Sequence, residues 1–404
     1  MESDRSVSSW ASSARDLYLV AMAVFLVTIL IGILNGADVV EFDRNQILTH
    51  VHSGTVGWLT LTIVASAFLL FRATDRRLML TMAILVPAYI LAFYTGNFLF
   101  RAVGGTALLV AIGWLLVWVW GQFLNGERSL PRLAVTLGLT SFGYGAVIGV
   151  LMQIGLALEI SIVPGDSIGA HASAMTFGYL VLSAMGFIEW RVLGTRGLPI
   201  SGLIQVGALF LGGLVISVGL LAGVEQAAGG IYLLTQLVAV VLFVVRIWPT
   251  VLRRSWTAAD PMRHFGAASV WTVAALILFM YIVFTFISRP DDPNALPLNV
   301  LIASDHAVYI GVITNIVVGL LSLLVLGRGT PAWLSHVVFW GINLGLTVFV
   351  IGLIVDTAEI KRIGAPLMGI TLLVALAILA SRLWSAPLDT SDLDGEVTAR
   401  AAPA

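Results

Sequence analysis

Apolar runs of about 20 residues that follow one another almost without interruption can sit in a bilayer only as helices or a closed barrel, and runs of that length select helices. In this chain they fall at 17–36, 48–71, 78–99, 105–125, 131–158, 166–190, 200–222, 228–248, 266–288, 298–327, 332–354 and 363–383. The sequence therefore predicts an all-α polytopic membrane domain of twelve spans over 17–384, between a polar tail at 1–16 and a disordered one at 385–404. The connections are short and carry breakers such as Gly165, Pro199, Pro290 and Pro331, which leaves no room for a soluble domain. Met1 to Arg15 is polar and has no basic segment leading straight into an apolar core, so no signal peptide is read there.

Charge sets the orientation. Placing both termini in the cytoplasm puts sixteen of the 21 basic residues inside and leaves Arg44, Arg101, Arg289, Lys361 and Arg362 outside, as the positive-inside rule requires. A formal net charge of −1 gives no reason to expect a nucleic-acid partner. The chain has no cysteine, which excludes disulfides, iron–sulfur clusters, thiolate ligands and covalently attached c-type haem. A metal would have to be held by histidine or oxygen.

Histidine is scarce and unevenly placed. Of six histidines, His50, His52, His171 and His306 lie at the outer ends of spans 2, 6 and 10, whereas His264 and His336 lie on the cytoplasmic side, where interfacial positions are expected. His50 and His52 point to nearly opposite sides of one helix at about 100° per residue, so one helix can serve two sites. Gly54 and Gly57 continue the His50 face at i+4 and i+7. They leave a stripe without side chains, suited to a flat ligand or to close helix packing.

The four-span interval between histidine helices suggests three four-helix repeats. Gly57, Gly178 and Gly311 mark one register: His52 and His306 each stand five residues before their glycine, and His50 and His171 seven before theirs. His50 and His171 thus share one phase, and His52 and His306 the other.

Twelve spans in three pseudo-repeats, with histidines at the outer ends of spans 2, 6 and 10, resemble the catalytic subunit of haem-copper oxidases and nitric oxide reductases. The run His50-Val-His-Ser-Gly-Thr-Val-Gly-Trp58 is similar to the two-haem motif of the C-class oxidases, and His171-Ala-Ser-Ala-Met-Thr-Phe-Gly178 to their span 6. Two features depart from the family. Its two-haem motif belongs to span 10, not span 2, and span 7 here, Ser201 to Ala222, lacks the histidine pair that would complete a copper site. A single imidazole does not suit copper, so oxygen reduction in the family's manner is not expected. Glu159 is the one acidic candidate found for a nitric oxide reductase type of iron site, and its neighbours do not match.

The resemblance implies two b-type haems near the outer face, held by His50, His52, His171 and His306, with Arg101, Lys361 and Arg362 as cations for the propionates. Gly54 and Gly57 would lie beside a macrocycle. In a threefold ring, facing ligands come from opposite phases, which pairs His50 with His306 and His52 with His171; the swapped pairing is the alternative. Three functions stay open: a haem protein that carries electrons or senses a small gas; an oxidoreductase with one five-coordinate haem; and a haem-free transition-metal transporter. The expected setting is the cytoplasmic membrane of a bacterium or archaeon, with a quinol or cytochrome as electron donor and room for a further membrane subunit.

Overall fold

The computed structural model describes residues 9–289, 292, 296–325 and 331–394. Twelve helices are long and apolar enough to cross a membrane: α1 Ser9–Gly36, α2 Arg44–Phe71, α3 Arg76–Tyr94, α4 Phe98–Asn125, α5 Leu130–Leu158, α6 Ser167–Leu193, α7 Ile200–Ala222, α8 Glu225–Leu252, α9 Met262–Ser288, α10 Leu298–Val325, α11 Ala332–Ile354 and α12 Ala358–Ser385. The protein is an integral membrane protein of the all-helical kind.

Three of the helices are central. The apolar windows of α2, α6 and α10 are 83, 78 and 83 % buried, against 33 to 61 % for the other nine. The outer helices follow one another around them in chain order, and α1 packs against α12 to close the ring. α2 and α6 each touch α10 at mid-length. Three intervals result: α2/α10, walled by α1, α11 and α12; α2/α6, walled by α3, α4 and α5; and α6/α10, walled by α7, α8 and α9.

The repeat is written in the backbone as well. α2, α6 and α10 each widen into a π-helical stretch, at Ser53–Thr60, Ala174–Val181 and Ala307–Thr314. Each stretch begins three or fewer residues after a histidine and carries the register glycine at its centre, a placement typical of functional segments.

Polar residues at the loops fix where the helices start. Asp43 and Gln46 form a reciprocal capping box at 2.9 Å that begins α2 four residues before its apolar run and sets the rotation of His50 and His52. Asp166 caps α6 by accepting from the Gly169 amide. Between α3 and α4 the expected long span at 78–99 breaks, because Gly96 turns with φ +70° and Asn97 caps a new helix through the Phe100 amide. Arg101 therefore sits in the first turn of α4 and not in a loop.

The tails differ from expectation. α1 starts at Ser9, so much of the stretch read as a polar tail is helical, and Met1 to Ser8 lie outside the described residues. At the other end, Leu388 and Leu393 are buried, the Asp389 amide donates to the Leu324 carbonyl, and Arg72 donates to the Leu393 carbonyl. Two leucines spaced for a cap over the ends of α2 and α10 order the segment down to Asp394; residues 395–404 of the expected disordered tail lie outside the described residues.

Candidate functional site

Each histidine ring is anchored in the same way. The Nδ1 atoms of His50 and His171 bond carbonyls of the preceding outer helix, Thr28 on α1 at 2.9 Å and Gly145 on α5 at 2.8 Å. Those of His52 and His306 bond carbonyls four residues back in their own helices, Leu48 and Ile302, both at 2.8 Å. A carbonyl accepts only, so every Nδ1 carries the proton and every Nε2 presents a lone pair. This is the tautomer and orientation of a metal-ligating imidazole with its supporting bond in place.

The histidines are neighbours in twos. His50 lies within electrostatic range of His306, and His52 of His171. Their neighbours agree with this: His306 packs edge-on to Phe349 of α11, in the α2/α10 interval, while His52 stacks on Phe93 of α3 at 3.6 Å, in the α2/α6 interval. Among the described residues no three of His, Cys, Asp and Glu gather where they could hold a metal ion. Paired imidazoles match the two axial positions of a haem iron, whereas a copper or zinc ion bound by protein alone wants three or four ligands.

Room for the rings comes from glycines on the outer helices. A Cβ on Gly32 of α1 would stand 3.0 Å from Cε1 of His50, and one on Gly149 of α5 only 2.8 Å from Cε1 of His171. Sequence reasoning picked other glycines. Gly54 and Gly57 face Thr28, Val24 and Ile90, so they serve the approach of α1 and α3 to α2.

The cations divide into two kinds. Lys361 pairs with Asp356 at 3.1 Å, and Arg362 pairs with Asp38; all four side chains are at least 27 % exposed. Arg101 is 2 % exposed and donates to Asn45 Oδ1 and the Phe93 carbonyl, both at 2.8 Å. Its guanidinium lies 4.6 Å from the centre of the Phe93 ring, on which His52 also stacks. Its electrostatic neighbours are Tyr89 and Arg44, and among the described residues no carboxylate pairs with it.

Acidic residues fall differently from the sequence reading. Glu159 is exposed in a left-handed conformation at the end of α5, φ +57°. Asp305, directly before His306, turns toward α6 instead and hydrogen-bonds Tyr309, which also bonds Thr176. Its place beside a histidine was the available signal. His264, expected at an interface, is not interfacial. It is 2 % exposed, and its Nδ1 meets Asn315 Oδ1 at 2.9 Å within a network that includes Asn343 and Trp271.

The α6/α10 interval has serines where the others have histidines. Ser304 holds the phase of His50 and His171, and its hydroxyl donates to the Ala275 carbonyl of α9, at 3.4 Å. Ser173 holds the phase of His52 and His306. Protein rings fill the space, with Phe177 packed on Phe279 at 3.7 Å and on Tyr232 at 5.3 Å.

No protein-family model and no curated protein matches the sequence.

Proposed function

We propose that the chain is a haem-b membrane protein, related to the catalytic subunit of haem-copper oxidases, that carries electrons. The observation that carries this reading is that His50 lies near His306 and His52 near His171, with the Nδ1 of each ring held by a carbonyl so that Nε2 presents its lone pair. His50 with His306 would hold one haem and His52 with His171 the other, and the haem supplies one-electron chemistry when bound. Two imidazoles on one iron leave no position for a gas, which favours electron transfer over chemistry on a bound molecule.

The protein's part is to bind, orient and keep out water. The carbonyl bonds fix tautomer and ring direction, Gly32 and Gly149 make space beside the rings, and Arg101 offers a propionate its counter-charge at the His52 pocket. Lys361 and Arg362 stay candidates for the other propionates, in competition with Asp356 and Asp38. Both sites belong at the outer side of the cytoplasmic membrane, and the donor would be a quinol or a soluble cytochrome. The test is the optical spectrum of the purified, dithionite-reduced protein. Split alpha bands of six-coordinate b-type haem are expected; a carbon-monoxide-sensitive five-coordinate spectrum would favour an enzyme, and absence of a Soret band would sink the proposal.

A further inference from the structure

We infer that Arg101 makes the two histidine-paired sites electrostatically unequal, so that a haem held by His52 and His171 is reduced at a higher potential than one held by His50 and His306. This rests on the haem reading above and adds to it a rank order of the two sites.

The inequality is one of charge. On the α2/α6 side a buried guanidinium lies 4.6 Å from the Phe93 ring on which the His52 imidazole stacks at 3.6 Å, and the charge among its electrostatic neighbours is that of Arg44. Reduction takes one positive charge off the iron, and a fixed cation in a medium of low dielectric favours the less positive state. On the α2/α10 side the two cations of the α12 start, Lys361 and Arg362, are each matched by a carboxylate, the first partly and the second largely exposed, which cancels and screens their fields. Asp305, next to His306, contributes either no charge or a negative one, so in neither form does it close the gap. Two haems of one kind bring equal propionate charge to both sites. The difference that remains is the one buried positive charge of Arg101.

The structure also says why it is Arg101 that does this. Three hydrogen bonds, to Asn45 Oδ1 and to the Ala92 and Phe93 carbonyls, hold the guanidinium. All three acceptors are neutral, so they fix its position without cancelling its charge. Gly96 belongs to the same construction: a Cβ there would stand 2.7 Å from Asn45 Nδ2 and displace the residue that holds the arginine.

A spectroelectrochemical titration of the purified full-length protein tests the inference, with His306→Ala and His171→Ala identifying which step belongs to which site. Two steps are expected, the higher one absent from His171→Ala. Arg101→Gln should lower the higher step by on the order of tenfold in the reduction equilibrium, about 59 mV for a one-electron couple, and leave the lower one in place. Arg101→Lys keeps the charge and should hold the higher step near its original position, which guards against a loss of folding in the glutamine variant. Asp38→Asn frees Arg362 and should raise the lower step by a smaller factor. A single two-haem step, a shift in the step that His306→Ala removes, or a lysine variant that behaves as the glutamine one would overturn the inference while leaving the haem reading intact. Protein that purifies without haem would instead defeat the haem reading itself.

Discussion

The α2/α10 and α2/α6 intervals can be set against the α6/α10 interval, because all three are built from the same parts and only two carry histidine pairs. In each, one residue reaches back to a carbonyl of the preceding outer helix: His50 to Thr28, His171 to Gly145, Ser304 to Ala275. The threefold scaffold thus survives where the imidazoles do not. Where they are present the outer helices supply glycines, Gly32 and Gly149, that leave space beside the ring. Where they are absent, Phe177, Phe279 and Tyr232 fill the interval with protein. Scaffold and site are therefore separable: the helix ring depends on apolar packing, and the chemistry depends on a few side chains within it.

The strongest way to break this comparison is to remove histidines. His306→Ala and His171→Ala should each abolish a different one of the two proposed haems, read as haem per protein and as loss of one alpha band. Ser173→Ala and Ser304→Ala should leave both. Loss of both haems from a single histidine change, or any loss from a serine change, would mean that the intervals are not independent.

Next in size is the polar chemistry that joins α6 to α7 and α8. Glu189 on α6 is fully buried and is bonded by Arg246 on α8, which also reaches Gln205 on α7 at 3.0 Å. Arg246→Met would strand a buried carboxylate and should cost about 3–5 kcal/mol. Because the pair joins α6 to α8, a wall of the α6/α10 interval that has serines in place of histidines, the haem content of whatever protein folds should not change. Thermal unfolding in detergent together with a haem assay separates the two effects.

Smaller again is the glycine contrast. Gly149→Val would place atoms where the His171 ring lies and should cost about 1–3 kcal/mol of packing, with loss of the haem at the α2/α6 interval alone. Gly207 on α7 has open space around its Cβ direction, so Gly207→Val should do neither. Equal behaviour of the two variants, in melting temperature and in haem content, would remove Gly149 from the site.

These residues also mark how far the sequence could be read. The twelve spans follow from apolar run length, and the pairing phase follows from where His50, His52, His171 and His306 stand relative to Gly57, Gly178 and Gly311; both are local properties of the chain. Gly32 and Gly149 were not legible, because a glycine in an apolar span looks the same whether it faces lipid, another helix or an imidazole. The same holds for Asp305, whose direction depends on the angle between two residues on a helix that widens into π turns, and for Ser304, whose meaning appears only beside its two equivalents. The apolar pattern runs on through Thr95–Asn97 and hides the glycine turn and asparagine cap that restart the helix there and bring Arg101 into its first turn. In the C-terminal tail the acidic residues outweighed two leucines that the structure buries.

The smallest effect concerns how the central helices are joined. Trp58 follows Gly57 on α2, is fully buried, stacks on Phe25 of α1 at 4.4 Å, and donates its indole Nε1–H to the Thr314 hydroxyl of α10 at 2.8 Å. That bond ties the two helices of one histidine pair together below the imidazoles. Trp58→Phe keeps a ring against Phe25 and deletes the donor. The Thr314 hydroxyl is not left stranded as a donor, since its own proton goes to the Tyr309 carbonyl at 2.8 Å. The loss should therefore be near the net worth of one hydrogen bond, about 1 kcal/mol, plus a share for the smaller ring. Both haems should remain, because the bond closes the helix pair and neither Trp58 nor Thr314 touches an imidazole nitrogen. Selective loss of the His50–His306 haem from this variant would show that the spacing of α2 and α10 is set by the tryptophan bond and not by the packing of the ring as a whole.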